Sequence, residues 1–209
     1  MPALFALLAT LCAGVAAACE PGTRPGINVV AEPAPVVVAT DLGLAELAAI
    51  AQRAGTESKP PGFYASEVLH EVSVQPGSGP NAFCTANLRV IVTVRLADRR
   101  IEVAREMQKQ QCRFNAVLDH YRKKAEADKA VFASYVTAIQ NALLAAPVPP
   151  VETEGSAGFG AVRQSLERWV KAIVTPNLQS LHLARVSAFR ALDTEGEFQR
   201  ISTACSQHA

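Results

Sequence analysis

Two hydrophobic periods stand back to back between Leu88 and Leu143, and that change of period limits the possible folds more than any other feature. Leu88, Val90, Val92, Val94 and Leu96 alternate on one face, with Arg89, Thr93 and Arg95 on the other. This is the pattern of a half-buried strand. Ala97-Asp98-Arg99-Arg100 reads as a turn and Ile101–Arg105 as the returning strand of an antiparallel hairpin. From 109 to 144 the apolar residues, Phe114, Val117, Leu118, Tyr121, Ala125, Phe132, Tyr135, Val136, Ile139 and Leu143, recur mostly at three- and four-residue steps, which predicts one long helix.

Shorter β-type runs come first. Ile27–Val30 and Val36–Ala39 flank a Glu32-Pro33-Ala34-Pro35 break, and Val68–Val74 alternates with His70 on its apolar face. Between them, Asp41 is placed to cap a helix reaching Arg53. After the long helix comes a Pro/Gly-rich connection over 147–160. A second helical stretch follows over 161–191, which Pro176 should kink or split, and then a short helix ending near Cys205. The order, strands first and long helices last, predicts an α+β fold in which a small antiparallel sheet packs on a long helix and further helices follow.

Residues 1–18 are apolar, uncharged and end in Ala16-Ala17-Ala18, the pattern of a signal peptide. The expected organisation is therefore a leader over 1–18 and one domain over 19–209, with no stable membrane span once the leader is removed. The protein would be periplasmic or secreted. Lipidation of Cys19 is the rival use of that residue, opposed by Ala16 where a lipobox has Leu. Removal of the leader leaves Cys19, Cys84, Cys112 and Cys205, an even count that predicts two disulfides. Of the three connectivities, Cys84–Cys112 with Cys19–Cys205 is favoured. A formal net charge of +1 gives no bulk electrostatic case for nucleic acid.

The chemistry-bearing candidate is Cys112-Arg-Phe-Asn-Ala-Val-Leu-Asp-His120-Tyr121-Arg-Lys-Lys124, continuing to Asp128. With the strands before it, this segment resembles the bacterial family of predicted secreted zinc-dependent proteases. The resemblance covers roughly Cys84 to Leu143. The family's helix carries His-Glu-x-x-His, which supplies two metal ligands one helical turn apart and a carboxylate base beside the first. Here the three positions hold His120, Tyr121 and Lys124. Only His120 keeps a ligand position; Tyr121, Lys124 and Asp128 mark a degenerate site, and no residue is assigned a catalytic role. The resemblance implies a zincin-like fold and a non-catalytic exported relative without a cofactor. Such a protein would act by binding or by a structural role in the cell envelope, with an envelope protein as the conceivable partner. An active metal-dependent hydrolase, with zinc held by His120 and nearby acids, is the alternative; an unrelated exported binding or inhibitor module is the third. On the helix surface, Asp119–Lys123, Arg122–Glu126 and Lys124–Asp128 are expected as exposed ion pairs. Arg163, Arg168, Lys171, Arg185 and Arg190 are expected to form a solvated basic side, with Trp169 and Phe189 packed inward.

Overall fold

The computed structural model describes residues 23–53, 61–78, 82–149 and 155–205. The expected leader and Cys19 lie outside these residues. The elements are β1 (Gly26–Pro33), β2 (Val37–Ala39), α1 (Leu44–Arg53), β3 (Gly62–Gln75), β4 (Arg89–Val103), α2 (Gln111–Ala145), α3 (Gly155–Leu192) and α4 (Glu195–Ser202).

The α+β class holds, but the sheet is mixed rather than small and antiparallel. β4 is its centre, with β1 and β2 running parallel to it on one side and β3 antiparallel on the other. β1 and β2 form one interrupted line. Pro33 faces Leu96 and Val37 faces Arg100, so three residues are skipped on each strand and the register is unbroken. Pro35, which has no N–H to give, sits in that gap.

The expected hairpin at Ala97–Arg100 is instead a β-bulge inside one 15-residue strand. Ala65 faces Arg100 and Glu67 faces Ala97, so Ser66 stands opposite both Asp98 and Arg99. Asp98 takes the left-handed conformation, with φ 48°, which Asp tolerates better than most residues. The extra residue reverses the alternation. Val90, Val92, Val94 and Leu96 are buried before it, and Arg99, Ile101 and Val103 after it.

This correction explains another. A hairpin would have returned the chain to Cys84, but 15 strand residues span about 50 Å. Cys84 precedes β4 and Cys112 follows it, so they belong to opposite ends of the strand. Cys112 is bonded to Cys205 instead, which overturns both favoured pairings. Cys84 is also disulfide-bonded, to neither of these two. The Cys112–Cys205 bridge spans a sequence separation of 93, for which chain entropy gives about 4–5 kcal/mol. A disulfide fits an oxidising compartment.

The helices cover one face of the sheet. The larger core joins the inward side chains of β4 to Phe132, Val136, Ile139 and Leu143 of α2 and to Val162, Leu166, Val170 and Val174 of α3. Trp169 packs against it. A second cluster gathers Ile101 and Val103 with Val117, Leu118 and Tyr121 of α2, Leu47 of α1 and Ile201 of α4. Gly62 is needed at this contact. A Cβ there would lie 2.6 Å from the Glu102 carbonyl oxygen and 2.8 Å from the Tyr121 ring. On the opposite sheet face Arg95 links Glu32 of β1 to Glu71 of β3.

Two local expectations change. Asp41 does not cap α1; it pairs with Arg100. Gly43 stands just before the helix, and its N–H donates to Glu46 three residues on, one half of a capping box, while Glu106 accepts from Leu44 N–H. Pro176 lies inside α3 without splitting it. The Asn177 side-chain amide donates to the Ile173 carbonyl at 2.8 Å, one turn back along the helix. Among the described residues no helix is long and apolar enough to cross a membrane.

Candidate functional site

His120, Tyr121, Lys124 and Asp128 share one inward stripe of α2, and all four are buried. Asp119, Arg122, Lys123 and Glu126 lie on the exposed side, as a solvated face requires. The expected ion pairs of that face are not the ones that form. Asp119 contacts Arg122 at 3.6 Å, and Lys123 reaches Glu197 of α4 at 3.4 Å. Lys124 and Asp128 do not pair with each other; each takes a distant partner.

Lys124 points to the junction of α3 and α4. Its Nζ lies 2.6 Å from Asp193 Oδ1, and both side chains are 9% exposed. The ammonium also stands 5.4 Å from the centre of the Tyr121 ring and 5.8 Å from that of Phe189, within cation–π range. His120, 1% exposed, approaches the same Asp193 oxygen through Nε2 at 3.2 Å. Its Nδ1 is 3.5 Å from Glu197, too long for a good hydrogen bond. Burial, with Lys124 nearby, lowers the His120 pKa against the pull of Asp193 and Glu197, so the imidazole is neutral near pH 7. Glu197 is drawn down to about 2, chiefly by its bonds from Arg200. Tyr121 donates to the Gly62 carbonyl at 2.5 Å, and burial raises its pKa. It cannot act as a base.

This arrangement does not fit a zinc site. Zinc needs several deprotonated donors converging within about 2.0–2.3 Å. Here the carboxylate nearest His120 already holds a buried ammonium. Among the described residues no three His, Cys, Asp or Glu side chains converge as metal ligands do. Among the described residues the other histidines do not complete it. His70 and His182 line a separate cleft, and His208 lies outside the described residues. His70 is exposed rather than packed in the core, because β3 lies at the edge of the sheet.

One turn further along α2, Asp128 is fully buried in a second polar cluster. Tyr64 OH and Ser66 Oγ donate to its Oδ2 at 2.8 and 2.6 Å. Arg185 of α3 donates from Nε to Oδ1 at 2.5 Å and from Nη2 to Oδ2 at 3.2 Å. Arg185 is thus a largely covered partner of Asp128, its side chain 11% exposed, not part of a solvated basic side. Arg99, turned inward by the bulge, donates to Tyr64 OH at 3.2 Å and to the carbonyls of Ala34 and Ala125. Burial raises the Tyr64 pKa, keeping the phenol a donor. The cluster joins both sides of the sheet to α2 and α3.

Sequence pattern missed Asp193, Arg99 and Arg185. Arg99 sat in a presumed turn, and Arg185 among exposed cations. The one available signal was Thr194–Glu197, spaced as a capping box; Thr194 does cap α4, accepting from Glu197 N–H. No protein-family model, curated protein or solved structure matches the chain.

Proposed function

We propose that the chain is an exported, non-catalytic relative of the secreted zinc-dependent proteases, acting by binding or by a structural role in the cell envelope. The carrying observation is the buried Lys124–Asp193 pair at 2.6 Å. A positive charge stands one helical turn from His120, where the family's second imidazole would be. The acceptor that could have helped to ligate a metal neutralises that charge instead. Tyr121, in the base position, has a raised pKa, so the family's carboxylate base has no counterpart at that position. The Cys112–Cys205 disulfide supports a periplasmic or secreted location.

The test is a peptidase assay on the full chain with an unstructured protein substrate and added zinc. No cleavage above that of a His120→Ala variant is expected. Zinc-dependent cleavage that His120→Ala abolishes would sink the proposal and favour the hydrolase alternative.

A further inference from the structure

Among the described residues β3 pairs with one strand only. It pairs with β4 along its length, and among the described residues no strand lies against its other edge. Successive backbone amides of a strand point to alternate sides, so about half of those between Gly62 and Gln75 face outward. A cleft between β3 and α3 follows this edge. Its apolar end, about 470 Å³, is walled by His70 of β3 and by Leu178, His182 and Leu183 of α3. Its polar end, about 310 Å³, holds Ser66 and Arg185 and shares Leu178 and His182 with the first. From Ser66 to His70 the strand advances about 13 Å, the reach of a few extended residues.

The polar end selects an uncharged acceptor. Arg185 gives Nε and Nη2 to Asp128 and Ser66, which leaves the Nη1 donors for the cleft. Its charge is already balanced by Asp128, and Glu67 stands on the same rim. A carboxylate would meet that repulsion; a peptide carbonyl would not. A second copy of the chain is disfavoured for a related reason. Self-pairing of two β3 edges would bring their Glu67 and Glu71 side chains close together.

We propose that this cleft receives an uncharged, extended segment of another polypeptide, added to β3 as a further strand. An apolar side chain would lie between Leu178 and Leu183, and a backbone carbonyl on Arg185. This is recognition by strand addition, in which backbone bonds supply affinity and alternate side chains supply specificity. It does not depend on the protease-like ancestry.

The experiment is display selection of short peptides against the immobilised full chain. The selected peptides are then synthesised with acetylated and amidated ends. Apolar residues at alternate positions are expected, and bound peptide should slow amide exchange at alternate residues of 66–72. Leu183 is 69% exposed, so Leu183→Glu should leave the thermal midpoint unchanged while weakening binding about tenfold or more. Methylation of alternate peptide amides should have a similar effect. Selection of an acidic consensus, or of nothing, would overturn the inference. So would binding that leaves β3 exchange unaltered or survives Leu183→Glu.

Discussion

At the scale of single residues, two buried polar groups differ in what they tolerate. Asp128 has no solvent exposure and accepts from Tyr64, Ser66 and Arg185. Asp128→Asn removes the charge that balances Arg185 and puts an amide donor among donors. The expected loss is about 3–5 kcal/mol, as for other broken buried pairs, read from urea unfolding of the full chain. A loss below about 1 kcal/mol would mean the cluster is solvated. His120 responds to pH. Its folded pKa lies below the usual value, whereas in the unfolded chain it titrates near 6.5. As pH falls through about 6.5, the unfolded chain binds a proton that the folded chain refuses. Stability should therefore decline below that point, until the folded pKa is passed, and be restored above it. The thermal midpoint of His120→Gln should fall less between pH 7 and pH 5 than that of the parent; parallel curves would contradict this.

At the scale of elements, the bulge in β4 decides the layout. It keeps 15 residues in one strand, aims Arg99 inward and separates Cys84 from Cys112. Asp98 is the residue under conformational demand. Asp98→Val should cost about 1–2 kcal/mol, because a β-branched side chain is poorly suited to φ 48°. Asp98→Gly should cost little or stabilise. Equal effects of the two in chemical denaturation would argue against the left-handed conformation. The same element shows what was legible in advance. The alternation of Leu88–Leu96 and the three- and four-residue steps of α2 reveal strand and helix, because a single buried face imposes each period. Ala97-Asp98-Arg99-Arg100 does not reveal whether it turns the chain or kinks it, since polar residues suit a hairpin and a bulge alike. The parallel pairing of β1 with β4 was equally hidden, being set by packing across the molecule rather than by neighbours in sequence.

At the scale of the whole molecule, α2 serves as a shared wall. Its C-terminal half meets the sheet and α3, and its N-terminal half meets α1, the end of β4 and α4. The stripe of His120, Tyr121, Lys124 and Asp128 lies on that inner side, so these residues are committed to packing and ion pairs instead of lining an open cleft. Their inward direction could be read for Tyr121 alone, the apolar member; the partners Asp193 and Arg185 come from distant segments. The most direct measurement is the zinc content of the full chain, by elemental mass spectrometry after equilibration with excess zinc and dialysis, beside His120→Ala and Lys124→Met. An ammonium held by Asp193 predicts no retained zinc in the parent or in His120→Ala. Near-stoichiometric zinc in the parent, lost in His120→Ala, would contradict it and restore a metal centre at His120.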